Sequence, residues 1–474
     1  RRVVGAEAFT ADWNRGRWLV EPYGIKALGD YAFTQGINRY IFHRYAHQPW
    51  TNLVPGMTMG PWGMHFERTT TWWALGAEWL RYVARCQHLL QSGRFVADVL
   101  YFMGESGPSD LLPRQALRPE VPIGYDYDGC DATVLLKRAT VRNGRIVLPD
   151  GMSYRVLVLP DTPFMTPALA SKIAQLVRDG ATVIGPRPRQ APGLTNYPDC
   201  DSQVAVIGKE VWGECDGETI TDHRYGKGRV VWGRSLASVL REMLLPPDFE
   251  VRGSGDQRIE YIHRAIQGGD FYFVSNQRYR TVEFEAAFRA AGRAPELWHP
   301  DTGRIEPVAA YRVEGGRTFL TLRLDPAGSV WVVFRKPARG PAYVHAGPLG
   351  AARAGRRPAI EVLSARYEAV DGAGGADVTD RVRELVSLGA DSIPATNSTF
   401  GDPTPGHVKR LVIQYRAGGQ TFRGEVAENA YVDLAAGAAS EQELGAAFSA
   451  RVTHQGMEFV AWGAGEFEAV AMTG

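Results

Sequence analysis

One acid near the start of the chain and a group of basic and aromatic side chains further on are the residues best suited to chemistry. Glu7 is the single acid of the apolar segment 3–9, which is predicted to be a buried strand. A lone carboxylate is costly to bury unless it is paired or lies at the open end of a strand. The end of the next predicted strand carries four further candidates: His43, Arg44, His47 and Trp50. Because strand ends build the active sites of parallel β/α barrels, the two segments together predict a catalytic cleft.

Structural roles remain as alternatives for these residues. Glu7 could form an ion pair with one of three arginines, namely Arg1, Arg2 and Arg39. His43 and His47 could be a hydrogen-bonded pair that fills a polar barrel mouth. Their i, i+4 spacing would suit a metal ion on a helix, but this segment is predicted to run from a strand into a loop.

Tryptophans are concentrated in the first eighty residues. Those predicted to lie in loops could stack on the apolar faces of a sugar ring: Trp13, Trp50 and Trp62. Those near the predicted helix 71–90 are expected to pack in the core: Trp72, Trp73 and Trp79. The carboxylate, the histidines, the arginine and the loop tryptophans therefore favour a carbohydrate cleft.

Other acids are weaker candidates. Asp126 and Asp128 lie in a predicted polar loop, where the alternative is a turn with solvated acids. Glu67 is predicted to form a local ion pair with Arg68. Glu105 follows a strand, as in glutaminase-type domains, but no cysteine lies on a strand-to-helix elbow, so thiol catalysis is unsupported.

Strand and helix patterns divide the chain. Apolar periodicity predicts helices at 27–35 and 71–90 around a strand at 37–43, the order of a parallel β/α unit. Strands at 154–160 and 181–185 enclose a helix that Thr166 caps and Pro167 begins. Alternating apolar and polar residues after about 250 predict an antiparallel sandwich, and one helix is expected at 378–388.

Composition excludes several classes of protein. The 474 residues suggest about three domains, and 45% hydrophobic with 22% charged residues is typical of globular chains. The formal net charge of +1 gives no broad footprint for nucleic acid or a membrane surface. No apolar stretch is long enough for a membrane span. The four cysteines show no zinc-binding or disulfide-rich spacing.

Three segments near the start of the chain resemble the second half of the catalytic barrel of family 106 α-L-rhamnosidases. They are GAEAFT (5–10), FHRYAHQPW (42–50) and GMHFER (63–68), the last followed by TWW at 71–73. GYDYD at 124–128 is similar to the family's segment after the barrel. A strand that ends in a glutamate, a helix and Gly36 before the next strand also resemble clan A barrels such as β-galactosidases. FGDPTPG at 400–406 lies in a module that resembles an appended β domain of unknown role.

The resemblance implies that the chain is the C-terminal portion of a bacterial-type enzyme. Its fold class would be multidomain α/β plus β. Residues 1–93 would be the last two strand–helix units of a truncated (β/α)8 (TIM-type) barrel, and 94–247 a glutaminase-like α/β domain. A β-sandwich would follow at 248–338, a linker at 339–358 and a β-rich module at 359–474.

The resemblance also implies an inverting glycosidase that removes terminal rhamnose from an oligosaccharide or glycoside. Glu7 matches the family's general base. Asp126 matches an acid that is important for activity. Substrate is expected to be bound by Asp126 together with the residues at the end of the second strand, His43, Arg44, His47 and Trp50. A calcium ion is expected to engage the sugar, with ligands mostly outside this chain. The partner acid would also lie outside it, and a periplasmic or secreted location is expected.

Two other functions remain open. A β-galactosidase-like retaining enzyme would use Glu7 as its nucleophile. A non-catalytic carbohydrate-binding or interaction scaffold would use the β-rich modules, which carry no clustered acids. The isolated chain is expected to be inactive, because it holds one half of a catalytic pair.

Overall fold

The computed structural model forms two compact units. It describes residues 3–14, 16–107, 110–252, 258–338, 343–348, 360–387, 392–417, 419–428, 430–434, 447–453, 456–462 and 467–471. The first unit comprises Arg1–Val251, Ile259–Glu306 and Val313–Arg339, and the second comprises Arg252–Arg258, Pro307–Arg312 and Gly340–Gly474. The chain is thus a mixed α/β protein with several sheets.

The first unit begins with two parallel strands and two helices. The elements are β1 (Gly5–Ala8), α1 (Pro22–Thr34), β2 (Arg39–Phe42) and, after a 3₁₀ turn at Trp73–Leu75, α2 (Gly76–Leu90). Both helices begin elsewhere than the sequence predicts. α1 starts earlier because the Glu21 carboxylate accepts hydrogen bonds from the amides of Tyr23 and Gly24 and Pro22 takes the first helical position. α2 starts later because the 3₁₀ turn precedes it.

The two faces of the β1–β2 sheet differ. One face packs on α1 and α2 through aromatic rings, with Tyr40 lying 4.6 Å from Phe33 of α1 and Phe42 lying 5.5 Å from Trp79 of α2 between ring centroids. On the other face Glu7 pairs in register with Ile41, and both are exposed. The prediction that 3–9 is a buried strand is therefore wrong, because the described residues cover only one face of this sheet.

A six-stranded sheet follows along the chain. Its region contains β3 (Arg94–Phe95), β4 (Val99–Phe102), β5 (Tyr127–Cys130), α3 (Ala132–Arg138), β6 (Thr140–Arg142), β7 (Arg145–Val147), β8 (Ser153–Tyr154), β9 (Val156–Val158), α4 (Pro167–Asp179), β10 (Thr182–Ile184), α5 (Asp199–Trp212), β11 (Asp222–Tyr225), β12 (Gly228–Val231) and α6 (Leu236–Glu242). The strand order is β11-β12-β10-β9-β4-β5, and all neighbours are parallel except the edge strand β11. β6, β7 and β8 form a small separate sheet.

Apolar cores lie on both faces of this sheet. Val156 and Val158 point into one buried cluster and Leu157 into the other, as the alternation of a central strand requires. α4 begins where the sequence predicts, with the Thr166 hydroxyl accepting the Leu169 amide at 3.3 Å, and ends at Gly180. The predicted β-α-β crossover is confirmed.

Antiparallel strands complete the first unit. They are β13 (Phe249–Arg252), β14 (Ile259–Ile266), β15 (Gly269–Asn276), β16 (Val282–Phe288), β17 (Arg293–Trp298), β18 (Ile305–Pro307), β19 (Arg312–Glu314), β20 (Arg317–Leu324) and β21 (Ser329–Pro337). They form two sheets, β13-β16-β20-β19 and β18-β17-β21-β15-β14-β3. Phe288 of the first sheet packs on Tyr272 and Phe334 of the second, with ring centroids 4.9 and 5.5 Å apart. The predicted antiparallel pairing after 250 is confirmed.

The second unit is mostly β structure. Its elements are β22 (Tyr343–Pro348), β23 (Glu361–Ala369), β24 (Gly375–Asp377), α7 (Thr379–Ser387), β25 (Ser392–Pro394), α8 (Asn397–Phe400), β26 (Lys409–Ala417), β27 (Gln420–Ala427), β28 (Tyr431–Asp433), β29 (Ala447–Thr453), β30 (Gly456–Trp462) and β31 (Phe467–Ala471). Its largest sheet has the order β24-β23-β26-β27, and the predicted helix at 378–388 is confirmed as α7. Most of the predicted linker lies outside the described residues.

Candidate active site at the ends of β1 and β2

Glu7 lies on β1 with its side chain exposed. The Thr10 hydroxyl donates a hydrogen bond to Oε1 of Glu7. Within the part of the chain that the structure describes, Glu7 forms no ion pair; Arg1 and Arg2 lie outside the described residues, and Arg39 makes no ion pair with it. An exposed carboxylate that one hydroxyl orients remains available as a proton acceptor.

The end of β2 is joined to the segment 63–66. The Arg44 amide donates to the Met64 carbonyl at 2.9 Å, and the Met64 amide donates to the His43 carbonyl at 3.0 Å. The His43 amide in turn donates to the Ala8 carbonyl at 3.2 Å. Gly63 has a positive φ of 77°, and a Cβ there would lie 2.5 Å from Nδ1 of His43. The strand end and this segment are therefore closely fitted beside β1.

Arg44 is buried, and its guanidinium makes no hydrogen bond to the described residues. Only 5% of the residue is exposed, and Nε, Nη1 and Nη2 find no hydrogen-bond partner among the described residues. Burial lowers the pKa of the guanidinium, and the nearby Glu67 carboxylate acts in the opposite direction. Because buried donors without acceptors are destabilising, the described residues leave the hydrogen-bonding capacity of Arg44 unfilled at a cost in stability.

His65 belongs to the same site, although the sequence pattern does not predict it there. Its ring is buried and stacks on Trp18, with 3.9 Å between ring centroids. Neither ring nitrogen has a hydrogen-bond partner among the described residues. Burial lowers the His65 pKa, and the positive charge of Arg44 lowers it further. Its place in the GMHFER segment was the available signal, but its burial depends on Trp18, far away in sequence.

Glu67 does not form the predicted local ion pair with Arg68. Its carboxylate is buried, accepts a hydrogen bond from Nε2 of Gln48 at 2.5 Å, and accepts another from the Thr69 hydroxyl at 2.9 Å. Arg68 instead donates to the Trp50 carbonyl at 3.2 Å. The prediction fails because the chain turns Glu67 inward toward the loop after β2, whereas Arg68 faces outward.

The remaining candidates near β2 are on the surface. His47 is exposed, and Trp50 is 55% exposed. Trp13 and Trp62 are also largely exposed, as the sequence predicts for loop tryptophans. Trp72, by contrast, contacts Phe66 at 5.9 Å between centroids and belongs to the packed part of this region.

Asp126 and Asp128 are not solvated acids of a turn. Asp126 is buried immediately before β5, and burial raises its pKa to about 7 although Arg114 acts to lower it. Asp128 lies on β5 and accepts a hydrogen bond from the Tyr154 hydroxyl at 2.8 Å. The parallel pairing of β5 with β4 draws both acids into the six-stranded sheet. Asp126 thus lies next to the six-stranded sheet, whereas Glu7 lies on the β1–β2 sheet, and the partners of Asp126 are residues near the six-stranded sheet.

The described residues contain no group of three or more histidine, cysteine, aspartate or glutamate side chains placed to hold a metal ion. They also contain no helix with the length and apolar character needed to cross a membrane.

Comparison with known proteins relates the chain to glycoside hydrolases. The sequence model of a family described as alpha-L-rhamnosidase matches residues 1–313. A solved rhamnosidase from Novosphingobium sp. PP1Y has 28% sequence identity and a TM-score of 0.65, with 91% of this chain and 42% of that chain covered. A beta-galactosidase from Bacillus circulans sp. alkalophilus has 12% identity and a TM-score of 0.42, covering 70% of this chain and 55% of that one, which is too weak for an argument.

A curated relative comes from Formosa agariphila and is provisionally named a beta-glucuronidase. It is 33% identical over 440 residues, which cover 92% of this chain and 36% of the relative. The chain therefore spans well under half of both the curated relative and the solved rhamnosidase.

Proposed function

Because the chain belongs to the family 106 glycoside hydrolases, the alpha-L-rhamnosidases, we propose that it contributes the general base to inverting hydrolysis of terminal rhamnose in a glycoside. The family resemblance carried by the barrel segments is confirmed. The observation that carries the proposal is the exposed Glu7 carboxylate beside the strand whose end presents His43 and Arg44.

In the proposed mechanism Glu7 removes a proton from a water molecule as that water attacks the anomeric carbon. A carboxylic acid on the other side of the sugar protonates the leaving oxygen. Inverting enzymes hold the two groups about 6.5–9.5 Å apart to leave room for the water. The hydrogen bond from Thr10 would fix the carboxylate for this role.

We propose that the partner acid is supplied by residues outside this chain. Two observations support this. The chain covers 36% and 42% of its two similar proteins. In addition, β1 and β2 form a two-stranded sheet among the described residues, whereas a closed barrel of this type has eight strands. On this proposal the chain by itself does not turn over substrate.

The sugar subsite would consist of the side chains around the end of β2, namely His43, Arg44, His47 and Trp50. The exposed Trp50 indole offers an apolar face for the ring, and the exposed His47 imidazole suits sugar hydroxyls. Asp126 is left out of this subsite because its carboxylate is buried and accepts hydrogen bonds from Arg114 and the Tyr127 amide. A calcium ion that engages the sugar would take its ligands mostly from outside this chain, so no proposed step runs through it.

The anomer released first tests this mechanism. NMR spectra recorded during hydrolysis of an α-L-rhamnoside by the full-length enzyme should show the inverted anomer before mutarotation. Release of the retained anomer would contradict the role of Glu7 as a base and would favour the alternative in which Glu7 is a nucleophile.

A second candidate substrate is an acidic sugar, and one observation favours it. The buried Arg44 guanidinium has three nitrogens without hydrogen-bond partners among the described residues, and a carboxylate is the group that a guanidinium binds best. The relative from Formosa agariphila is named as a beta-glucuronidase, and a glucuronide is an acidic sugar. Rates on matched α-L-rhamnoside and β-D-glucuronide substrates, with Arg44→Lys as the variant, separate the two candidates.

A further inference from the structure

The six-stranded sheet has a point at which its strand order reverses. Its five parallel strands occur along the chain as β4, β5, β9, β10 and β12. In the sheet they lie in the order β5-β4-β9-β10-β12, so that, numbered one to five along the chain, the order is 2-1-3-4-5. The chain therefore leaves β4 toward one edge and β9 toward the other. In open α/β sheets, ligands bind in the crevice that this reversal opens at the carboxyl ends of the strands.

A cavity occupies that crevice. It has a volume of about 290 Å³ and is lined by residues that directly follow the two strands, Gly104 and Glu105 after β4 and Leu159 and Pro160 after β9. Phe164, which is 47% exposed, lines it from the segment before α4. The walls are mainly apolar, as in most small-molecule sites.

The anion position of this crevice is filled by the protein itself. The Thr166 amide donates to Oε2 of Glu105 at 2.7 Å, and the Thr166 hydroxyl donates to Oε1 at 2.7 Å. Thr166 caps the N-terminus of α4, where phosphate groups bind in other α/β proteins. Because the Glu105 carboxylate takes that place, it would repel an anionic ligand.

We propose that this crevice binds a small neutral aromatic molecule that carries a hydroxyl group. The ring would lie against Phe164 and Pro160, and its hydroxyl would donate to a lone pair of Glu105 that Thr166 leaves free. The volume limits the occupant to about one or two rings, since ligand pockets usually begin near 300 Å³. This proposal does not depend on the proposed hydrolase function.

Titration with 2-naphthol and with 2-naphthyl phosphate at pH 7 tests the proposal, using calorimetry and ligand-observed NMR. The native chain should bind the phenol about tenfold more tightly than the phosphate ester. Phe164→Ala should weaken naphthol binding about tenfold, since the ring contact is lost. The control Ile123→Ala, which shortens an exposed side chain in the same sheet region, should leave binding unchanged.

Glu105→Gln tests independently whether the negative charge of Glu105 causes the preference for the phenol. The amide oxygen can still accept from Thr166, but the negative charge is gone, so the two ligands should bind about equally. Cooperative thermal unfolding of Phe164→Ala and Glu105→Gln would show that these two variants fold. Equal binding of phenol and phosphate ester by the native chain would overturn the proposal, as would naphthol binding that Phe164→Ala leaves unchanged.

Discussion

Two buried polar groups of residues in the first unit are built in opposite ways. The strand-end cluster contains His43, Arg44, Gln48, His65 and Glu67, and several of its nitrogens have no hydrogen-bond partner among the described residues. The charge network contains Asp98, Asp248, His263, Asp270 and Arg289, which join the six-stranded sheet to the antiparallel sheets. Paired networks hold elements in a fixed arrangement, whereas unpaired buried groups lower stability.

The charge network has good geometry throughout. Arg289 donates to Asp98 at 2.8 Å, and His263 contacts Asp248 at 2.9 Å and Asp270 at 3.1 Å. Burial alone would lower the pKa of His263, but the carboxylates of Asp248 and Asp270 outweigh it and raise the pKa to about 9. His263 therefore keeps its positive charge at neutral pH.

The largest expected effect on stability comes from breaking this network. Arg289→Met would leave Asp98 and Asp248 buried without their arginine, so the free energy of unfolding should fall by about 3–5 kcal/mol in urea titrations. Arg138→Met, which removes an exposed ion pair with Asp150, is the control and should change it by about 0.5 kcal/mol or less. If the two substitutions lowered the free energy of unfolding equally, the buried charge network would stabilise the protein no more than an exposed ion pair does.

The pH dependence of stability sharpens the same comparison. The folded pKa of His263, about 9, lies above its unfolded value of 6.5, so its contribution is complete below pH 6.5 and is lost as pH rises through 9. The loss amounts to about 3 kcal/mol. Urea titrations between pH 6 and 8, below the range in which the buried thiols contribute, should show this slope, and His263→Gln should remove it there. An unchanged slope in the variant would show that His263 is not the titrating group.

Trp50 should affect substrate binding and leave stability unchanged. Trp50→Ala in the full-length enzyme is expected to raise KM for a rhamnoside about threefold to tenfold, because a stacking face is lost. The melting temperature should stay constant, since the side chain is 55% exposed. Leu75→Ala, at an exposed position of the same region, should alter neither quantity. A KM that Trp50→Ala does not change would take Trp50 out of the sugar subsite.

Arg44, although buried, should contribute far less to stability than Arg289. Arg44→Met replaces a buried charge that lacks hydrogen-bond partners with an apolar chain of similar length, so the free energy of unfolding should change by about 1 kcal/mol or less, or rise. Substrate affinity should fall in the same variant. A loss of stability like that of Arg289→Met would show that Arg44 is paired in the folded protein.

The sequence predicts those parts of the molecule that local signals determine. Thr166, Pro167 and Gly180 mark both ends of α4 through capping and backbone preferences, and the structure confirms them. The burial of Asp126 could not be predicted, because it depends on the parallel pairing of β5 with β4. At the candidate site, the ends of β1 and β2 follow from strand patterns. The roles of His65 and Glu67 depend on contacts with Trp18 and Gln48, which no local pattern reveals.

The most direct test of the account is the activity of Glu7→Gln in the full-length enzyme, measured as kcat/KM on an α-L-rhamnoside. Loss of the general base should lower kcat/KM by about 10²–10⁴-fold while the melting temperature stays unchanged, because the side chain is exposed. Glu78→Gln, at an exposed position on α2, should keep full activity. Native activity in Glu7→Gln would contradict the central claim that this carboxylate accepts the proton of the attacking water.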